Sequence, residues 1–130
     1  MSEKKKVLLV DDNPDFVDAT KLILEKKGGY DVTVAYDGVE GIEKVKSDKP
    51  DIIVLDVMMP NKDGYKMCAE LKADDEYSNI PIILLTAVAS HITDTQYTPR
   101  MGMETEADDY IDKPAEPKEI LKRIDALLKK

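Results

Sequence analysis

Three blocks of this chain are wholly aliphatic, and each stops abruptly on a polar residue. Val7-Leu8-Leu9-Val10 is followed by Asp11-Asp12, Ile52-Ile53-Val54-Leu55 by Asp56, and Ile82-Ile83-Leu84-Leu85 by Thr86-Ala87. A fourth, mixed block, Asp109-Tyr110-Ile111-Asp112, ends in Lys113-Pro114. Short aliphatic runs of this kind read as strands buried on both faces, as in a parallel sheet covered by helices. The pattern predicts strands over 5–10, 31–35, 51–55, 82–85 and 109–112. Between them the period changes to a helical one. A first helix starts at Pro14, with Asn13 as its N-cap and Asp15 in its first turn, and ends before Gly28-Gly29. A second covers 38–47 with Val39, Ile42 and Val45 inward, and a third covers 64–74 with Met67, Cys68 and Leu71 on one face. The last begins near Pro117, where Ile120, Leu121, Ile124, Leu127 and Leu128 form an apolar stripe. Segment 89–107 is irregular, broken by Pro99 and Gly102, with a short helix expected at 100–104.

Strands alternating with helices predict an α/β fold: a doubly wound, five-stranded parallel sheet with helices on both faces. The length of 130 residues fits one domain, expected over 1–130 with no output module. Charge narrows the partners. The net charge of −8, with no basic stripe, argues against a nucleic-acid partner. The apolar block after Lys4-Lys5-Lys6 is too short for a signal peptide, and no run approaches membrane-spanning length. No membrane insertion is expected. A single cysteine, Cys68, excludes an internal disulfide and fits a reducing, cytoplasmic setting.

In open α/β sheets, ligands bind beyond the carboxyl ends of the strands. Asp11, Asp12 and Asp56, with Thr86 and Lys113, are therefore expected along one edge. Singly, Asp12 reads as a helix cap and Asp56 as a turn residue; jointly, with a hydroxyl and an ammonium at the other strand ends, they read as a site. Two carboxylates about 4 Å apart repel by about 4 kcal/mol at an effective dielectric of about 20, so three require a counter-charge. Lys113 supplies one. Hard oxygen ligands with room for water favour Mg²⁺ for the rest.

These segments resemble those of the receiver domains of two-component response regulators, most of all the single-domain, chemotaxis-regulator type. The matching stretches are Val7-Leu8-Leu9-Val10-Asp11-Asp12-Asn13, then Asp51 through Pro60 with Asp63-Gly64, then Ile80 through Ala87, then Ala107 through Pro114. The resemblance implies a flavodoxin-like receiver fold and a phosphoacceptor at Asp56, loaded from a phosphohistidine of a sensor histidine kinase or histidine phosphotransfer protein. It implies Mg²⁺ on Asp12, Asp56 and the main-chain carbonyl of Met58, with Asp11 helping through water. Lys113, joined to Pro114 by a cis bond in the family, would pair with the carboxylate and then the phosphoryl group. Thr86 would donate to a phosphoryl oxygen beside the small Ala87. Tyr110, three residues before Lys113, matches the aromatic residue that turns inward on phosphorylation, reshaping a surface near the fourth and fifth strands for a downstream protein target.

Such a module is a signalling domain, not an enzyme, beyond its own loading and slow dephosphorylation. Two competing functions are a Mg²⁺-dependent phosphohydrolase with an aspartate nucleophile and a binding module indifferent to phosphorylation. The phosphohydrolase class uses a second acid two residues after the nucleophile, where this chain has Met58. The chain also departs from the receiver pattern. More residues than usual separate Thr86 from Lys113, and Glu106 stands where glycine commonly precedes Ala-Asp-Asp-Tyr. Met58 and Val88, two positions beyond Asp56 and Thr86, are apolar where polar residues in some relatives orient water, which predicts a long-lived phosphoryl group. His91 has no nearby partner in sequence and carries no assigned role. Asp108 and Asp109 are read as solvated or capping charges.

Overall fold

The aliphatic blocks form the centre of a five-stranded parallel sheet in the order β2-β1-β3-β4-β5. A computed structural model describes residues 4–57, 64–86, 107–112 and 116–128. Its elements are β1 (Lys6–Val10), α1 (Pro14–Lys26), β2 (Asp31–Ala35), α2 (Gly38–Ser47), β3 (Ile52–Asp56), α3 (Gly64–Lys72), β4 (Ile82–Thr86), β5 (Asp109–Asp112) and α4 (Pro117–Leu128). The doubly wound α/β architecture is the one the sequence predicts. The short helix expected at 100–104 lies outside the described residues.

Side-chain alternation along the strands builds two cores, one on each face of the sheet. Leu8, Val10, Ile53, Leu55, Ile82 and Leu84 pack with Val45, Met67, Cys68 and Leu71 of α2 and α3. Val7, Leu9, Ile52, Val54, Ile83 and Leu85 pack with Val17 and Leu24 of α1 and with Ile120 and Ile124 of α4. Helix α1 starts where its sequence says: Asn13 Oδ1 accepts from the backbone N–H of Asp15 and Phe16. Gly29, just beyond the helix, has a φ of 70°, the left-handed conformation that glycine adopts without strain.

Three expectations need correction. Val39 does not face inward: it is 49% exposed, while Gly38, Gly41 and Val45 line the buried side of α2. A β-carbon on Gly41 would stand 2.9 Å from Met67 Cε, so the missing side chain is what lets α2 lie close to α3. Asp108 and Asp109 are not merely solvated or capping charges. Asp108 accepts from the Ile82 N–H (2.8 Å) and pairs with Lys72 Nζ (3.0 Å), joining α3, β4 and the approach to β5. Asp109 pairs with Arg123 of α4. The third strand and helix are also displaced slightly, so that Asp56 is the last residue of β3 and α3 ends at Lys72; shifts of this size are ordinary at element ends.

Candidate functional site

β1 and β3 lie side by side at the centre of the sheet, although β2 comes between them in sequence. Successive connections therefore leave in opposite directions at this point, opening a crevice beyond the carboxyl ends of both strands. Their register pairs Val10 with Leu55, so the next residue on each chain is an aspartate: Asp11 and Asp56 stand level. Asp11 continues the Val7–Leu9 row and Asp56 the Ile52–Val54 row, both on the α1/α4 face of the sheet.

Local hydrogen bonds fix the first carboxylates. The Asp11 N–H donates to the Ala35 carbonyl (3.1 Å), extending the β1–β2 pairing by one residue. The Asp11 carboxylate accepts from the Asn13 N–H (3.0 Å), and Asn13 caps α1. The chain thus turns sharply after β1, leaving Asp11 fully buried and Asp12 exposed. Asp56, 2% exposed, completes a group of three carboxylates whose oxygens lie within 4.8 Å of one another.

The far wall comes from α3. Gly64 N–H donates to the Val57 carbonyl (3.1 Å), and a β-carbon on Gly64 would lie 2.4 Å from the Asp56 carbonyl oxygen. Only glycine permits this approach. On the other side Asp56 is in register with Leu85, and Thr86, 3% exposed, follows at the end of β4. Tyr110 lies on β5, opposite Leu84, with 37% of its surface exposed.

The structure therefore brings Asp11, Asp12 and Asp56 together and places Thr86 at the neighbouring strand end. Lys113, Met58, Pro114, Ala87, Val88 and His91 lie outside the described residues. Sequence reasoning passed over Gly64 as a wall of the site, though a glycine opening the helix after an acidic strand end was the available clue. It also gave no role to Arg123, whose partner Asp109 lies 14 residues away.

The donor set suits a hard divalent cation. It consists of carboxylate oxygens alone, with one face open to water through Asp12, and the three side chains carry up to three negative charges in a small space. No helix among the described residues is long and apolar enough to cross a membrane.

Residues 7–125 match the response regulator receiver domain family. The chain is 40% identical over 126 residues to the alkaline phosphatase synthesis transcriptional regulatory protein PhoP of Bacillus subtilis, a match covering 97% of this chain and 49% of PhoP. It thus spans about half the length of that relative. Among solved structures, the chemotaxis response regulator CheY4 of Vibrio cholerae aligns with a TM-score of 0.83 at 28% identity, over 96% of this chain and 99% of that one. The receiver domain of the sensor histidine kinase PA1611 of Pseudomonas aeruginosa, which has a magnesium ion coordinated in its active site cleft, aligns with a TM-score of 0.82 at 26% identity, over 98% and 100%. This chain belongs to the response regulator receiver domain family, whose members are signalling domains phosphorylated by histidine kinases.

Proposed function

We propose that Asp56 is the phosphoacceptor of this receiver and that its loading depends on Mg²⁺ held by the carboxylates of Asp11, Asp12 and Asp56. The observation that carries this reading is the meeting of the three carboxylates at the ends of β1 and β3, with Asp56 almost wholly buried. A carboxylate oxygen of Asp56 attacks the phosphorus of a phosphohistidine. A new O–P bond forms while the N–P bond breaks, and the imidazole nitrogen leaves with the bonding electron pair. The product is an acyl phosphate, as in other aspartate-nucleophile transfers. When bound, the cation supplies positive charge for the phosphoryl oxygens as they pass between the two groups.

The chain's own residues position and sense the group. Asp56, fixed on a rigid central strand against Gly64, presents its carboxylate at the crevice. By resemblance, Met58 adds its main-chain carbonyl to the cation site, Lys113 offers an ammonium to the phosphoryl group, and Thr86 offers a hydroxyl from the end of β4. Tyr110 then exchanges its exposed position for an inward one. Phosphorylation makes contacts available in only one of the two arrangements and so shifts their populations. The surface that changes, around β4 and β5, is the docking site for a downstream protein.

Stoichiometry tests this reading against the phosphohydrolase alternative. With Mg²⁺ and acetyl phosphate, the protein should accumulate one phosphoryl group per chain and should not turn over a phosphomonoester such as p-nitrophenyl phosphate. Sustained phosphomonoester hydrolysis without an accumulating adduct would assign it to the other class.

A further inference from the structure

Among the described residues β5 is the last strand of the sheet, bonded to β4 on one side only. It carries Tyr110, and the residue before Tyr110 is held from outside the sheet. Arg123 Nη1 of α4 reaches both carboxylate oxygens of Asp109, each at 2.8 Å, while Arg123 Nε donates to Glu119 at 2.7 Å. Glu119 lies one turn earlier on the same helix, so the guanidinium is gripped at two positions and oriented toward β5. Oδ1 of Asp109, one of the two oxygens that Arg123 reaches, also accepts the backbone N–H of Tyr110 at 2.8 Å. One carboxylate therefore ties helix α4 to the main chain of Tyr110, and this arrangement occurs with the Tyr110 ring 37% exposed.

We propose that the Arg123–Asp109 pair is a clamp that holds β5 in the conformation carrying Tyr110 outward, and so sets the threshold at which the receiver switches. The inference rests on Tyr110 being the moving aromatic of the proposed function. The clamp spans the sheet edge and α4 and involves none of the three carboxylates of the acidic site. Arg123 and Asp109 are positioning residues: they act on the switch through the Tyr110 backbone and do not touch the phosphoryl group. A contact can bias a two-state equilibrium only by its difference between the states. For a partly exposed ion pair that difference corresponds to roughly a twofold to fivefold change in the population ratio. Salt should weaken it, because the screening length falls from about 10 Å at 0.1 M to about 3 Å at 1 M.

The test uses the full chain labelled with 3-fluorotyrosine, with the Tyr110 resonance assigned through Tyr110→Phe. Spectra are recorded without phosphoryl donor and then with Mg²⁺ and acetyl phosphate, and Asp56 loading is followed in parallel by mass. Arg123→Gln should raise the inward-to-outward ratio of unphosphorylated protein about twofold to fivefold and leave the extent of loading unchanged. Arg123→Lys, which keeps charge but cannot span both acids as a fork, should fall between. Asp109→Asn should mimic Arg123→Gln while keeping an acceptor for the Tyr110 N–H. Raising NaCl to 1 M should shift the wild type and leave Arg123→Gln nearly unaffected. Unaltered populations in both variants, or a shift outward, overturn the clamp. A Tyr110 resonance that ignores an adduct formed on Asp56 overturns the switch assignment and the clamp together. An absent adduct overturns the phosphoacceptor reading alone, since the clamp is judged on unphosphorylated protein.

Discussion

Gly64 stands so close to Asp56 that a β-carbon on the glycine would lie 2.4 Å from the Asp56 carbonyl oxygen and 2.6 Å from the Val57 α-carbon. Both neighbours are main chain, which cannot swing aside as a side-chain tip can. Gly64→Ala must therefore displace either the start of α3 or the end of β3. It should lower unfolding free energy by about 1–3 kcal/mol, the usual range for overpacking. Because the displaced backbone carries the nucleophile, phosphoryl loading should slow by roughly 10-fold to 100-fold. Thermal denaturation and a time course of loading read the two effects separately, and wild-type values for both would contradict this account of the site wall.

The three carboxylates should make the metal-free protein less stable than its neutralised variants. Their oxygens lie within 4.8 Å of one another, and Asp11 and Asp56 are almost completely removed from solvent. At the 4.8 Å limit each charged pair repels by about 3.5 kcal/mol in an effective dielectric of about 20, and by more at shorter distances. Asp12→Asn or Asp56→Asn should therefore raise the melting temperature in EDTA. The order should reverse in Mg²⁺: wild type gains about 2.7 kcal/mol at a metal concentration of about 100 Kd, and each variant gains less. Denaturation with and without Mg²⁺ checks the crossing.

A second contact, between residues far apart in the chain, should contribute to stability at alkaline pH. The Tyr30 hydroxyl, just before β2, donates to the Asp125 carboxylate on α4, and the residue is 1% exposed. Burial, with the Asp125 hydrogen bond and charge adding to it, pushes the phenol well above its usual value. The protonated phenol is the form the fold favours, so the folded chain retains this proton at pH values where the unfolded chain has lost it. The stabilisation is complete below about pH 10, the unfolded value, and declines as pH rises toward the folded one. Tyr30→Phe should cost about 1–2 kcal/mol at neutral pH and should flatten this alkaline decline. Urea denaturation of both proteins from pH 7 to 11 measures it.

Apolar side chains at Met58 and Val88 offer nothing to orient an attacking water. The phosphoryl group should persist, and Met58→Asn should shorten its lifetime. Phosphate release after removal of donor decides the point: equal lifetimes in the two proteins would remove the role assigned to position 58.

What the sequence reveals and what it conceals differ for a physical reason. Strands buried on both faces must be almost purely aliphatic, so β1, β3 and β4 stand out, and the acids at their ends are visible as the first interruptions. Asp11 and Asp56 are brought level by the β1–β3 register, as the chain pattern anticipates. Hydrophobicity does not register glycine as an interior residue, and so the pattern places Val39 inward on α2, although it reads Ile42 and Val45 of the same helix correctly. Gly38 and Gly41 occupy the interior because they lack side chains, and Val39 is carried outward. The partners of Asp108 and Asp109 were concealed by chain distance. Lys72 is 36 residues from Asp108, and nothing in the local pattern links them before the fold does.

Mapping where phosphate arrives decides whether Asp56 is the phosphoacceptor. After incubation with acetyl phosphate and Mg²⁺, intact mass followed by peptide mapping should show one added phosphoryl group, carried on Asp56. EDTA or Asp56→Ala should abolish it, while the Asp56→Ala protein remains folded. A wild-type protein that stays unmodified, or an equal adduct in Asp56→Ala, would contradict the account.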